Sequence, residues 1–299
     1  MTVIDGIDLK AYLASKNALI EQALNQFIPE QALPYGKLFT AARYSLLGGG
    51  KRLRPILALA TAETVGGSLE AAMAPACALE MIHTYSLIHD DLPCMDNDDY
   101  RRGKLSLHRA FPEGHAVLTG DYLLTYAFEV LSKAPKLSPE QRLQLVKTLS
   151  HRAGGEGMIS GQVLDLDVVG KKIDLETLKL VHRLKTGALL KASIEFGGIV
   201  ANVPEAQMIL LQQFGEKVGL AFQIMDDVLD VTASEQKHGK KTASDIANNK
   251  TTYVSLMGLE QSRALAQKLS NEAAETLQQL PYDVSLLTGL AQLIVERSQ

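Results

Sequence analysis

Apolar residues recur at three- and four-residue steps along most of the chain. Leu210, Phe214, Val218, Ala221, Met225 and Val228 form one such stripe, the period of a helix with one buried face. Leu13, Ala18, Leu19, Leu24 and Phe27 predict a second helix within 9–28, stopped by Pro29, and Ala78–Ile88 is a third apolar helical segment. Prolines are absent from 140–203 and from 205–280, which favours long helices there. Ser138 precedes Pro139 with Gln141 three residues on, a capping-box start. Asp174 is a natural N-cap for a helix running toward Phe196. Strict alternation is scarce, so strands are hard to place. The pattern predicts one all-α domain spanning 1–299, with ten or more helices and its weakest joints at 29–36, 48–55, 103–114 and 232–245.

Composition narrows the class. Hydrophobic residues are 46% and charged residues 21% of 299, enough for a sizeable core and too apolar for disorder. Two cysteines, Cys77 and Cys94, exclude a disulfide framework and suit a reducing cytoplasm. No run is long and apolar enough for a membrane span, and the N-terminal MTVIDGIDLKAYL lacks the basic-then-apolar order of a signal peptide. A net charge of −4 argues against a nucleic-acid partner.

Acid is concentrated at two places. Asp90, Asp91, Asp96, Asp98 and Asp99 put five carboxylates into ten residues directly after an apolar helix. Asp226, Asp227 and Asp230 end the other long apolar stripe, with Asp226 and Asp230 four apart on one helical face. Like charges so placed call for a cation between them, and Mg²⁺ is suited to carboxylates shared with substrate phosphates. Asp90 and Asp96 are six apart, wrong for one face of a regular helix, but Pro93 makes a distorted helix end the expectation.

Base lies nearby. Gly48-Gly49-Gly50-Lys51-Arg52-Leu53-Arg54 offers backbone amides and three cations to a phosphate, without the Gly spacing and Ser/Thr of a P-loop. Arg101 and Arg102 follow the first acidic cluster, Lys240 and Lys241 follow the second, and Lys185-Thr186-Gly187 falls inside a helical stretch. His89-Asp90 lacks the distant second histidine of a metal phosphohydrolase, and the cysteines lack zinc-ligand spacing.

These segments together resemble the trans-prenyl diphosphate synthases, most closely the bacterial farnesyl diphosphate synthases. The resemblance rests on GGGKRLRP at 48–55, HTYSLIHDDLPCMDNDDYRRG at 83–103, SGQVLDLD at 160–167, KTGALL at 185–190 and GLAFQIMDDVLD at 219–230. It implies an all-α bundle around a deep central cavity, a homodimer, and Mg²⁺ as cofactor. By the same resemblance Asp90, Asp96 and Asp226 would be the main Mg²⁺ ligands, with Asp91, Asp227 and Asp230 in support. Lys51, Arg54, His83 and Arg102 would hold isopentenyl diphosphate, while Arg101, Lys185 and Lys240 would hold the allylic diphosphate. Thr186 and Gln223 would face the developing cation, and an aromatic at Tyr85 beside Ser86 would set a C15 product. Ser160 replaces the commoner glycine of GGQ, so no direct role is assigned to Gln162. Geranyl and geranylgeranyl diphosphate synthases remain alternatives. A class I terpene cyclase would need only one diphosphate pocket, and a non-catalytic relative would have lost motif residues. The second basic segment and the intact motifs favour transfer.

Overall fold

The structure, a computed structural model, describes residues 3–4, 7–236 and 251–296. Helices dominate: α1 (Leu9–Phe27), α2 (Lys37–Leu46), α3 (Leu53–Thr64), α4 (Leu69–Asp90), α5 (Leu107–Ala110), α6 (Glu113–Ser132), α7 (Pro139–Ala153), α8 (Met158–Asp167) and α9 (Leu175–His182). A π-helical turn at Arg183–Gly187 joins α9 to α10 (Ala188–Val200), and α11 (Glu205–Gln236), α12 (Tyr253–Met257), α13 (Leu259–Leu277) and α14 (Ser285–Val295) complete the bundle. Strands among the described residues are limited to two antiparallel hairpins, Val3–Ile4 with Ile7–Asp8 and Tyr100–Arg101 with Lys104–Leu105.

Local chemistry explains most boundaries. Ser138 and Gln141 form the expected capping box on α7, and the Asp174 side chain accepts from Thr177 N–H at the start of α9. Helical structure from Asp174 continues past Phe196 to Val200. Pro75 lies buried inside α4, among alanines, without ending the helix. One expectation needs correction. The apolar stripe on α1 is out of phase with its real inner face, which is Leu9, Lys16, Ile20 and Leu24, while Ala18 and Leu19 face out. Lys16 enters that face because its ammonium meets Glu63 at 2.5 Å, letting the aliphatic stem pack inside.

The most completely buried helices are α3 and α10, which cross at the centre; Lys191 alone in α10 stays outside the core. Around them α4 packs on α6, and α11 on α13. Of the expected α11 stripe Phe214, Val218, Ala221, Met225 and Val228 are buried, while Leu210 is partly buried and Leu211 and Ile224 join the inner face. The polar ends of α4 and α11 and the loop entering α3 supply the functional groups described next. No helix among the described residues is long and apolar enough to cross a membrane.

Candidate active site

Helix α4 stops at Asp90, and Pro93 prevents its continuation. The chain then turns back: Asp96 N–H donates to the Asp90 carbonyl at 2.8 Å, and Asn97, in the left-handed region at φ 53°, donates to the Leu92 carbonyl at 3.1 Å. Asp90 and Asp96 are thereby brought side by side. Burial, helped by the neighbouring Asp96 and opposed by Lys185, pushes the Asp90 carboxyl up to about 6. Asp91 points elsewhere. It is buried and takes Arg101 Nε at 3.0 Å, while Arg101 also reaches Asp98 at 3.1 Å.

A cleft of about 440 Å³ opens beside this turn, lined by Asp165, His182, Lys185, Thr186, Gln223, Asp226, Leu229 and Asp230. Asp226 and Asp230 share the α11 face that borders it, as their spacing requires. Lys185 and Thr186 reach it from the π-turn, where the wider helical ring carries an extra residue, a form common at functional sites. Lys185 Nζ lies 2.7 Å from Asp165. Gly161 of α8 lies against this turn; a Cβ there would stand 2.2 Å from Lys185 N. Asp227 is buried: it accepts Tyr253 N–H at 2.8 Å and Gln223 Nε2 at 3.4 Å, tying α11 to α12 and orienting Gln223.

The third group surrounds the loop into α3. Gly49 and Gly50 take φ of +87° and +138°, and a Cβ on Gly50 would lie 2.7 Å from Arg102 Cζ. Arg102 donates to the Gly49 carbonyl and stands 3.7 Å from Glu80. The three cations of this loop divide by role. Lys51 is exposed, and Arg54 keeps its Nε buried with no hydrogen-bond partner. Arg52 is turned inward and fully engaged by Glu80 at 2.5 Å, Glu21 at 2.7 Å and the Leu46 carbonyl at 2.6 Å, so it offers nothing to a phosphate. Burial, reinforced by Arg54, Arg102, Arg52 and Arg101, holds His83 well below the usual histidine range and therefore neutral. An Arg54 donor without a partner, beside Arg102 and a neutral His83, is an anion pocket in waiting.

Tyr85 lies one turn before His89 on α4, buried, its ring edge-on to the imidazole at 5.7 Å and its hydroxyl without a partner. Ser86 Oγ donates to the His83 carbonyl at 2.9 Å. Lys240, expected near the second acidic cluster, lies outside the described residues. The sequence reading missed Glu80 and Asp165, the buried acids behind Arg102 and Lys185. Glu80 had a signal, as the one charge between Ala71 and Ile82 in an otherwise apolar helical run. Asp165 lies in the SGQVLDLD segment, but only the fold brings it to Lys185, twenty residues along the chain.

The oxygen-only donor set of Asp90, Asp96, Asp226 and Asp230 fits a hard divalent cation such as Mg²⁺. Asp90, half-buried with the like charge of exposed Asp96 near it, is a carboxylate whose charged form a cation would stabilise. Among the described residues no three acidic, histidine or cysteine side chains converge on one point.

The fold and site together define a helical enzyme scaffold carrying two acid-rich helix ends and a separate guanidinium pocket. The model of the polyprenyl synthetase family matches residues 36–284, and the chain belongs to that family. It is 46% identical over 283 residues to a farnesyl diphosphate synthase of Micrococcus luteus, covering 95% of this chain and 96% of that one. It is 45% identical over 299 residues to the large subunit 1 of a chloroplastic heterodimeric geranylgeranyl pyrophosphate synthase of Arabidopsis thaliana, covering 98% of this chain and 80% of that one. The crystal structure of an FPP/GFPP synthase from Zymomonas mobilis superposes with a TM-score of 0.86 at 37% identity, over 99% of this chain and all of the other.

Proposed function

We propose that this chain is a Mg²⁺-dependent prenyltransferase that condenses isopentenyl diphosphate with dimethylallyl and then geranyl diphosphate, releasing farnesyl diphosphate, and that it works as a single-domain subunit of a cytoplasmic homodimer. The observation that carries this reading is the pair of unlike anion pockets. One combines carboxylates with Lys185; the other brings the guanidiniums of Arg54 and Arg102 to the neutral His83, with Lys51 exposed on the adjoining loop. Two diphosphates recognised by different chemistry can be held at once in fixed orientation, as a joining reaction needs and a cyclisation does not.

The residues divide the work accordingly. Asp90, Asp96 and Asp226 would hold Mg²⁺, which supplies charge neutralisation to the allylic diphosphate as it leaves. Lys185 and Arg101 add positive charge on the same diphosphate, Lys185 from the π-turn and Arg101 from the hairpin, with Lys240 as a further candidate. The allylic C–O bond breaks and its electron pair leaves with the diphosphate. The oxygens of Thr186 and Gln223 line the space where positive charge develops on carbon. Arg54, Arg102, Lys51 and His83 hold the isopentenyl diphosphate so that its double bond attacks that carbon. A proton is then lost, and the departed diphosphate is the base at hand, so no histidine is required. The apolar bundle excludes water that would otherwise capture the cation.

Tyr85 supports the C15 length. A chain growing from a diphosphate near Asp90 runs toward the α4 N-terminus and meets the Tyr85 ring about one turn away. Relatives making farnesyl and geranylgeranyl products are similarly close, which keeps a C20 product as the second reading. Incubation with labelled isopentenyl diphosphate and geranyl diphosphate, followed by dephosphorylation and chromatography, decides it. Farnesol is expected; geranylgeraniol as the main alcohol favours the C20 reading, and no elongation at all overturns the transferase.

A further inference from the structure

Glu80 is an anomaly in a pocket meant for anions. It is buried on α4, 1% exposed, in an otherwise apolar run, and it faces cations on several sides. Arg52 Nη1 bonds it at 2.5 Å, Arg102 Nη2 stands at 3.7 Å, and its charge reaches Arg54. Glu21 joins the far side of Arg52 at 2.7 Å. Electrostatics alone would disfavour a carboxylate here, because it repels the diphosphate the pocket is to bind.

We propose that Glu80 is a positioning residue for the isopentenyl pocket, fixing Arg102, and through Arg52 the Gly48–Gly50 loop, in the geometry that receives the second diphosphate. This rests on the transferase reading above. The structural basis is that one carboxylate joins three chain segments. Arg52 belongs to the loop before α3, Arg102 to the hairpin turn after the first acidic cluster, and Glu80 to α4 between them. Arg102 also holds the Gly49 carbonyl and packs on Gly50, so its guanidinium is located by the loop and the carboxylate together. Both Arg52 and Arg102 have left-handed backbones, at φ 49° and 52°. Backbone held in this region costs energy and persists where surrounding contacts, here those to Glu80 and the Gly49 carbonyl, over-determine it. Without Glu80, the guanidiniums of Arg52, Arg54 and Arg102 would lose the buried carboxylate they share, and mutual repulsion would spread them apart.

Charge and position predict opposite results, which makes the proposal testable. Glu80→Gln keeps the shape and removes the charge; Glu80→Asp keeps the charge and draws it back by one methylene. Steady-state KM for isopentenyl diphosphate and for geranyl diphosphate would be measured on parent and variants, with folding checked by thermal melting. The positioning role expects both variants to raise the isopentenyl KM about ten- to hundredfold, the loss of a charge-assisted bond or two. The geranyl KM should move less than about twofold. A lower isopentenyl KM in Glu80→Gln, or a normal one in Glu80→Asp, overturns it, since only charge would then matter. Equal rises for both substrates overturn it as well. Where a single variant does not fold, Arg52→Met with Glu80→Met replaces the buried pair by apolar groups. A selective rise in isopentenyl KM in that folded double variant supports the role, and parental constants overturn it. Parent protein that elongates nothing would instead overturn the transferase reading itself.

Discussion

The backbone of Asp96 closes onto that of Asp90, N–H to carbonyl at 2.8 Å, so two acids six residues apart share one side of a broken helix end. Burial already disfavours the charge on Asp90, and the like charge of Asp96 adds to this. Asp90→Asn should therefore leave the melting temperature of the metal-free protein no lower than the parent's. Turnover at saturating Mg²⁺ should fall by about 10²–10³, the usual loss for one electrostatic stabiliser. Parental turnover in the folded variant removes Asp90 from the metal site.

The two pockets should separate kinetically. Arg54 has a buried Nε without a hydrogen-bond partner and is assigned above to isopentenyl diphosphate, while Lys185 lines the acidic cleft. Arg54→Ala should raise chiefly the KM for isopentenyl diphosphate. Lys185→Ala should lower kcat and weaken the allylic substrate. Identical patterns in both variants would show that the pockets are not distinct.

Tyr85→Ala tests product length. Its ring is buried but its hydroxyl bonds nothing, so removing it deletes bulk without orphaning a polar group. An active variant that accumulates C20 and longer diphosphates is expected. Destabilisation of about 3–5 kcal/mol with C15 still the only product marks ordinary core packing.

Gly161→Ala is a probe of the π-turn. The added methyl would stand 2.2 Å from the Lys185 backbone nitrogen, and backbone cannot swing aside as a side chain can. Lys185 should be displaced from Asp165 and kcat should fall at least about tenfold, with a melting temperature lowered by a few degrees. Unchanged kcat would mean that the turn tolerates movement and that Lys185 needs no fixed place.

The parts legible in the sequence were those whose cause is local. Capping at Ser138 and Asp174, the α11 stripe and the breaking of α4 near Pro93 all depend on a few neighbouring residues. Arg52 shows what could not be read. In sequence it is one of three equivalent cations; in the fold it is consumed by Glu80, Glu21 and the Leu46 carbonyl. Lys16 was not legible for the converse reason, a charge on a buried face made acceptable by Glu63 from another helix. The π-turn likewise has no compositional mark, because its register is set by α8 and α11 packing against it.

That turn makes the cleft a matter of residue count as well as residue type. Each residue advances an α-helix by about 100°, and the ring at Arg183–Gly187 absorbs one surplus step, leaving α9 and α10 in phase on either side. A chain one residue shorter within 183–187 would close into an unbroken helix with both flanking faces still packed as before. Lys185 and Thr186 alone would lose their outlook on Asp165 and Asp226. On such a scaffold, chemistry can be gained or erased by a single-codon insertion or deletion that the fold scarcely registers.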